Sequence, residues 1–207
     1  MNKSCQFIIG VDEAGRGPLA GPVAVGVVLI RSNFDWSLVP EVTDSKKLSE
    51  KKRDAIYEAA LQLEQEGVLQ QVVTLISAVE IDKQGIVPSI RRCIKDCLSE
   101  LQKKELALKK ETTIVLLDGG LKAPDDWIQQ KTIIKGDALE KSIGLASILA
   151  KVCRDRYMYS IAEHSKYKMY NFATHKGYGT KKHREVIEEY GFSDEHRQSY
   201  CKNIKLL

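Results

Sequence analysis

Short apolar runs alternate along the chain with longer stretches whose apolar residues recur every three or four positions. The short runs are rich in Val and Ile and predict strands near residues 6–13, 22–30, 69–76, 112–117 and 131–134. The longer stretches predict helices over residues 50–66, 88–104 and 138–163. Because strands and helices are interleaved, we expect an α/β fold built around one twisted sheet.

Three of the predicted strands deliver acidic residues at their carboxyl ends. Asp12 and Glu13 close the first apolar run, Asp118 follows the fourth, and Asp137 comes shortly after the fifth. Strand ends that share one edge of a sheet bring such residues together, and carboxylates are ligands that Mg²⁺ prefers. Each acid taken alone is as well explained as a strand-end cap or an ion-pair partner. Their shared placement favours a metal site.

The first acidic pair is followed at once by a glycine-rich turn. Neighbouring strand residues point to opposite faces, so Asp12 and Glu13 serve one site only if the strand is ending or one of them contributes its backbone carbonyl. Residues 14–22 (AGRGPLAGP) contain three glycines, which allow backbone N–H groups to approach a ligand closely. Acids beside such a turn predict a place where metal and phosphate meet.

Charge is distributed unevenly along the 207 residues. The formal net charge of +4 permits a polyanionic partner without requiring one. From about Ser165 onward, however, lysines are interleaved with aromatic residues, and all tyrosines except Tyr57 lie from Tyr157 onward. This concentration of basic and aromatic side chains predicts a nucleic-acid contact in the last quarter of the chain.

Composition also bounds the compartment. The five cysteines form no C-x-x-C pair and no zinc-like spacing, which indicates reduced thiols; Cys93 and Cys97 fit the apolar stripe of their helix and are interpreted as packing residues. Acidic residues interrupt the first apolar run too early for an export signal, and the run over residues 18–30 is too short for a membrane span. We expect a cytoplasmic protein that acts as a monomer.

Six segments carry a family resemblance, in order and along nearly the whole chain. They are residues 11–23 (VDEAGRGPLAGPV), 44–49 (DSKKLS), 118–119 (DG), 135–137 (KGD), 146–155 (ASILAKVCRD) and 176–180 (KGYGT). Together they resemble bacterial ribonuclease HII, a type 2 ribonuclease H. The resemblance implies an α/β, ribonuclease H-like fold with a central mixed β-sheet flanked by helices. It also implies a catalytic domain over residues 1–164, with a C-terminal helical, substrate-binding extension over residues 165–207 packed on the same domain.

The resemblance implies a reaction as well. Asp12, Glu13, Asp118 and Asp137 would be catalytic and would hold two divalent ions, Mg²⁺ or Mn²⁺, around the scissile phosphate. The implied activity is endonucleolytic hydrolysis of the RNA strand of RNA–DNA hybrids, and cleavage on the 5′ side of single ribonucleotides embedded in duplex DNA. The products would carry 5′-phosphate and 3′-hydroxyl ends.

Substrate-binding residues follow from the same resemblance. Gly15, Arg16 and Gly17 would present backbone atoms to the 2′-hydroxyl, which separates RNA from DNA. Tyr178 would stack on the sugar that follows the ribonucleotide, and Ser45, Lys46 and Lys47 would contact phosphates. From the residues alone, Tyr178 is equally explained as a turn residue packed on the core. The Ser-Lys-Lys loop is equally explained as a solvated helix cap.

Three other functions account for part of the pattern. Ribonuclease HIII has a similar acidic site but an additional N-terminal domain, for which we expect no room because the first strand begins almost at once. A non-catalytic hybrid-binding module would keep the basic tail, but massed carboxylates would repel its phosphates. A P-loop enzyme is set aside because residues 15–22 lack the Gly-Lys-Ser/Thr ending.

Two segments depart from the family pattern. Gly144 stands in the long predicted helix where alanine is usual, and helix propensity predicts that this glycine loosens the helix by roughly 1 kcal/mol. Residues 196–200 (HRQSY) only partly resemble the family's C-terminal segment. We assign them no catalytic role.

Overall fold

Five strands form one sheet with the first strand at its centre. The computed structural model describes residues 5–207. Its strands are β1 (Phe7–Ala14), β2 (Val23–Arg31), β3 (Gln70–Ile76), β4 (Thr113–Asp118) and β5 (Gln130–Ile133), in the order β3-β2-β1-β4-β5. The β1–β2 and β2–β3 pairs are antiparallel, whereas β1–β4 and β4–β5 are parallel. The sheet is mixed, as predicted.

The register of β1 differs on its two sides. Pairing with β4 stops at Val11, which lies opposite Leu117, whereas pairing with β2 continues to Ala14, opposite Ala24. The last three residues of β1 therefore extend beyond its pairing with β4. The two acids of β1 lie in this part of the strand, which is paired with β2 alone.

Seven α-helices are described within residues 5–207; three helices were predicted with bounds, and α6 and α7 lie in the extension that was predicted only as helical. They are α1 (Glu50–Gln65), α2 (Ala78–Gln84), α3 (Ile86–Lys104), α4 (Gly136–Leu139), α5 (Lys141–Glu163), α6 (Phe172–His175) and α7 (Lys181–Tyr190). The short helix α2 was not predicted, because its seven residues carry little periodic signal; its N-cap is Ser77. The predicted helix over residues 138–163 is divided, since Glu140 is extended between α4 and α5.

The sheet is covered on both faces. Helix α3 packs on one face with Ile9 and Val11 of β1 in the same apolar cluster, which also contains Cys93 and Cys97. Both cysteines are fully buried, which confirms their interpretation as packing residues. Helices α1 and α5 pack on the opposite face. No helix within residues 5–207 combines the length and apolar character needed to cross a lipid bilayer.

Helix α5 lies unusually close to β1 and β2. A Cβ atom placed on Gly10 would stand 2.1 Å from the carbonyl oxygen of Ser142, and one on Gly26 would stand 2.3 Å from that of Ala146. Only glycine allows this approach. The contact brings the first half of α5 directly over the central strand, next to the acidic end of β1.

The segment after α5 packs back on the same core. Tyr167, Tyr170 and Phe172 are buried in an apolar cluster with Met158 of α5. A single β-bridge joins Ala20 in the glycine-rich turn to His196 near the C-terminus. Three aromatic residues of the basic tail therefore belong to the core and are unavailable for stacking on a nucleic acid.

Candidate active site

The four acids predicted as catalytic residues lie around one edge of the sheet. Asp12 and Glu13 stand in the part of β1 beyond its pairing with β4, Asp118 is the last residue of β4, and Asp137 is in the first turn of α4. Asp12 and Asp137 are 4% and 7% exposed, so two of the acids are nearly buried. The fold thus places residues that are far apart in sequence at one location.

Their electrostatic coupling shows in the pKa values. Burial raises the pKa of Asp12 well above its usual value, and the negative charges of Glu13 and Asp118 add to this effect, although a hydrogen bond with Ser147 opposes it. Burial also raises the pKa of Glu13 and of Asp137, and in both cases the charge of Asp118 contributes. Each of these carboxylates would be stabilised by a nearby cation.

Hydrogen bonds hold two of the acids in place. Asp12 Oδ1 accepts from the backbone N–H of Glu13 at 2.7 Å. Asp118 Oδ1 accepts from the backbone N–H of Gly136 at 2.6 Å, which ties the end of β4 to the start of α4. The residue before that helix, Lys135, adopts a left-handed conformation with φ of 57°. The turn that positions Asp137 is therefore held by Asp118 itself.

The side chain of Glu13 leaves β1 on the opposite face from that of Asp12. Because β1 remains paired with β2 through both acids, successive side chains leave on opposite faces. Gly10, two residues before Asp12, faces α5, and Val11, two residues before Glu13, packs with α3, so Asp12 lies on the side of α5 and Glu13 on the side of α3. The strand does not end at the pair. The charge of Asp118 nevertheless acts on the Glu13 carboxylate, so both the side chain and the backbone carbonyl of Glu13 remain available to a shared site.

The chemistry of the set fits a hard divalent cation. Every side-chain donor is a carboxylate oxygen, as Mg²⁺ and Mn²⁺ prefer. Two basic side chains form ion pairs with the acids: Lys46 Nζ is 3.8 Å from Asp137 Oδ2, and Arg16 Nη1 is 3.3 Å from Glu13 Oε1. Within residues 5–207, no three Asp, Glu, His or Cys side chains are grouped closely enough to hold a metal ion together. The arrangement is an open set of carboxylates.

The Ser-Lys-Lys loop borders this set. Charges of Asp137, Asp44, Asp12 and Asp118 raise the pKa of Lys46 against the opposing effect of partial burial, so its ammonium group lies within reach of the acidic site. Lys47 is exposed. Asp44 caps the turn Ser45–Lys47 by accepting from the N–H of Lys46 at 3.0 Å.

Ser45 is placed differently from the two lysines. Its side chain is 3% exposed, and its hydroxyl lies 2.9 Å from the hydroxyl of Ser147, which in turn bonds Asp12. The Ser45 hydroxyl therefore faces α5 and supports the residue that holds Asp12. Only the lysines of this loop present side chains to solvent.

Two buried arginines hold the glycine-rich turn. Arg154 of α5 donates from Nε to the carbonyl of Pro22 at 2.9 Å, and from Nη2 to the carbonyls of Ala20 and Lys176 at 3.2 and 2.9 Å. Arg197, near the C-terminus, donates to three further carbonyls of the turn. Both side chains have 0% exposure. Burial lowers the pKa of Arg197 to about 10, with a further contribution from the charge of Arg154.

Tyr178 lies on the outside of this arrangement. Its side chain is 45% exposed, which speaks against the interpretation of a turn residue packed in the core. Its ring centroid is 5.7 Å from the Arg154 guanidinium and 6.0 Å from Lys151 Nζ. Because Arg154 also bonds the glycine-rich turn, the ring and the turn are neighbours on one surface.

Sequence reasoning assigned no role to Ser147, Arg154 or Arg197. Two of them lie in the segment 146–155 that carried the family resemblance. A signal was present, since Arg154 interrupts an otherwise apolar stripe of α5, and a charge at such a position needs partners. The partners themselves, which are backbone carbonyls up to 182 residues away, are not visible in a sequence.

Comparison with known proteins places this geometry in a family. A family model described as Ribonuclease HII matches residues 9–203. Ribonuclease HII of Caldicellulosiruptor bescii is 44% identical over 208 aligned residues, which cover 100% of this chain and 92% of that protein.

Solved structures agree with the fold. The chain resembles the ribonuclease HII in a complex with PCNA from Archaeoglobus fulgidus, with a TM-score of 0.67, 26% identity, and coverage of 92% of this chain and 93% of that one. It also resembles Bst-RNase HIII in complex with Mn²⁺, with a TM-score of 0.70, 16% identity, and coverage of 99% and 72%. The predicted ribonuclease H-like fold is confirmed. The chain belongs to the ribonuclease HII family and is a nuclease.

Proposed function

We propose that the protein is an endonuclease that hydrolyses the RNA strand of RNA–DNA hybrids and also cuts on the 5′ side of single ribonucleotides embedded in duplex DNA. The products carry 5′-phosphate and 3′-hydroxyl ends. Family membership supports the ribonuclease activity. The observation that carries the proposal further is the convergence of four acids at one sheet edge, beside a turn that the fold anchors with two buried arginines.

The carboxylates of Asp12, Asp118 and Asp137 are proposed as metal ligands, together with Glu13 through its backbone carbonyl or its side chain. Two divalent ions, Mg²⁺ or Mn²⁺, would supply activation of the attacking water and stabilisation of the leaving oxygen. The carboxylates would hold these ions, and the ions would act on the scissile phosphate. The Ser147 hydroxyl and the Gly136 N–H orient Asp12 and Asp118 for this purpose.

The remaining residues are proposed to position the substrate. Arg16 and Gly17 are exposed and Gly15 is buried beside them, and the backbone of these three residues is proposed to face the ribose, while Tyr178 offers an exposed ring to the next sugar. Lys46 and Lys47 are placed to attract phosphates. Ser45 is proposed to act indirectly, through Ser147. All of these residues come from one copy of the chain, so we propose that a monomer is active.

A single experiment tests the reaction. The protein is incubated with end-labelled duplex DNA containing one ribonucleotide, with Mg²⁺ or with EDTA, and the products are mapped at nucleotide resolution. We expect one cut on the 5′ side of the ribonucleotide in Mg²⁺, none in EDTA, and none in an all-DNA duplex of the same sequence.

Variants link the reaction to the site. Asp12→Asn and Asp137→Asn should each abolish cleavage while retaining the far-ultraviolet circular dichroism of the wild type. Asp96→Asn, on the exposed face of α3, is the matched control and should cleave normally. Full activity in either folded site variant would rule out the metal assignment. Binding of the duplex without any cleavage in Mg²⁺ or Mn²⁺ would favour a binding module instead.

A further inference from the structure

Three hydrogen bonds connect the guanidinium group of Arg197 to the glycine-rich turn. Its Nη2 donates to the carbonyl of Gly15 at 2.7 Å, its Nη1 to the carbonyl of Arg16 at 3.1 Å, and its Nε to the carbonyl of Gly21 at 2.9 Å. Every polar atom of the guanidinium group thus bonds the backbone of one turn. The planar fork of arginine is suited to this task, whereas lysine offers a single point of contact.

Burial of the charged Arg197 side chain destabilises the folded protein. Arg197 has 0% exposure, and no carboxylate within residues 5–207 lies within 4.0 Å of it. Burying an ion without a counter-ion costs several kcal/mol, and an apolar side chain would fill the same volume without that cost. The hydrogen bonds that Arg197 donates to the three carbonyls of the turn offset part of this cost. They also determine how the peptide planes of the turn are oriented.

That orientation follows from the planarity of the peptide bond. In a trans peptide the C=O of one residue and the N–H of the next point in opposite directions, and the described chain contains no cis peptide bond. Because Arg197 draws the carbonyls of Gly15 and Arg16 inward, the N–H groups of Arg16 and Gly17 point away from it. Both residues are exposed. In the part of the chain that the structure describes, neither N–H has a protein acceptor.

We infer that Arg197 is a positioning residue for ribose recognition, which orients two consecutive peptide planes so that the N–H groups of Arg16 and Gly17 face the substrate as hydrogen-bond donors. The inference rests on the proposed function, because it takes the glycine-rich turn as the part that reads the 2′-hydroxyl. The C-terminal segment around residues 196–200, to which the sequence assigned no catalytic role, thereby contributes to substrate specificity without touching the substrate.

The test separates specificity from stability. Affinity is measured by fluorescence anisotropy in Mg²⁺ for a labelled duplex with one ribonucleotide and for the all-DNA duplex of the same sequence, with every protein carrying Asp137→Asn to prevent cleavage. The readout is the ratio of the two dissociation constants. In Arg197→Lys we expect this ratio to fall about fivefold, the size of one hydrogen bond, with little change in affinity for all-DNA duplex.

Controls cover the charge change and the loss of stability. Arg156→Lys alters an exposed arginine that pairs with Glu58 and should leave the ratio unchanged. Leu101→Ala removes a buried side chain of α3, away from the glycine-rich turn. It serves as the control for a lower melting temperature in Arg197→Lys. If Arg197→Lys fails to fold, Tyr200→Leu takes its place, because the Tyr200 ring lies 5.3 Å from the Arg197 guanidinium and its loss should lower the ratio to a smaller extent.

The outcomes are distinct. An unchanged ratio in folded Arg197→Lys or Tyr200→Leu overturns the inference, and so does an equal loss of affinity for both duplexes that Leu101→Ala reproduces. A parent protein that binds the two duplexes equally contradicts the proposed ribose recognition itself.

Discussion

The side chain of Asp12 combines burial, negative charge and neighbours of the same charge. Such a group destabilises the folded protein when no cation is bound, since its pKa is raised by burial first and by Glu13 and Asp118 in addition. We therefore expect the acidic residues, which serve function, to lower the free energy of unfolding of the metal-free protein.

Asp12→Asn should accordingly stabilise the metal-free protein. We expect a gain of about 1 kcal/mol or more in EDTA, which corresponds to about 2–4 °C in melting temperature for a chain of this size. Mg²⁺ should raise the melting temperature of the wild type, because it binds the folded state, and should have little effect on the variant. Asp96→Asn serves as the exposed control. A lower melting temperature for Asp12→Asn in EDTA would contradict this electrostatic account.

Tyr178 allows a second prediction at the scale of one residue. Its exposed ring lies within 6.0 Å of both the Arg154 guanidinium and Lys151 Nζ and is not part of the core. Tyr178→Ala should lower kcat/KM for a single embedded ribonucleotide by roughly fivefold to tenfold through the loss of stacking, while Tyr178→Phe retains most activity. Melting temperatures should change little for either variant. Unchanged kinetics in Tyr178→Ala would remove this ring from the site.

At the scale of elements, helix α5 shows how packing overrides helix propensity. Gly144 was expected to loosen the helix relative to alanine. In the structure, a Cβ atom at this position would stand 2.8 Å from the carbonyl oxygen of Asp137 and 3.2 Å from Val42 Cγ1. The glycine is thus required by the close approach of α4, the helix that carries the catalytic candidate Asp137.

Gly144→Ala should therefore destabilise the protein by about 1–3 kcal/mol, as overpacking does, in place of the gain of roughly 1 kcal/mol that propensity predicts. Urea unfolding measures the difference. Ser160→Ala, at an exposed position of the same helix, is the control and should follow propensity with a slight gain. Stabilisation by Gly144→Ala would show that the neighbouring backbone relaxes freely.

At the scale of the whole molecule, three histidines link the C-terminal segment to the loop that carries Tyr178. His183 Nδ1 donates to the carbonyl of Tyr178 at 2.9 Å, so its Nε2 accepts, and the donor at 3.0 Å is His196 Nε2. His196 Nδ1 then accepts from the N–H of Ser193 at 2.9 Å. His175 stacks on His183 with ring centroids 4.1 Å apart. The network is complete only when both hydrogen-bonded histidines are neutral.

Stability should fall in mild acid as a result. Burial lowers the pKa of His183 to about 4 and of His196 to about 3. The neighbouring charges of Arg184 and Asp194 act in opposite directions. Since the unfolded chain takes up these protons near pH 6.5 and the folded protein does not, we expect the free energy of unfolding to fall by roughly 1 kcal/mol or more per pH unit below about pH 6.

Urea unfolding at pH 7, 6 and 5 measures this slope. His196→Gln should reduce the slope relative to the wild type, while replacement of the exposed His164 by Gln should leave it unchanged. Equal slopes in the wild type and His196→Gln would show that the histidine network does not titrate on unfolding.

The division into a catalytic domain and an extension after residue 164 stays a prediction.

The sequence by itself determined the local elements, the α/β class and the family, because hydrophobic period, turn residues and contiguous motifs are local in the chain. It also predicted the four acids as site residues, since each lies at or shortly after the end of an apolar run. Only the tertiary structure decided that Glu13 leaves β1 on the opposite face from Asp12, that the Ser45 hydroxyl is buried, and that Arg197 holds a turn near the other terminus. These features depend on strand register, helix approach and long-range contacts, which arise when distant segments pack and leave no local pattern.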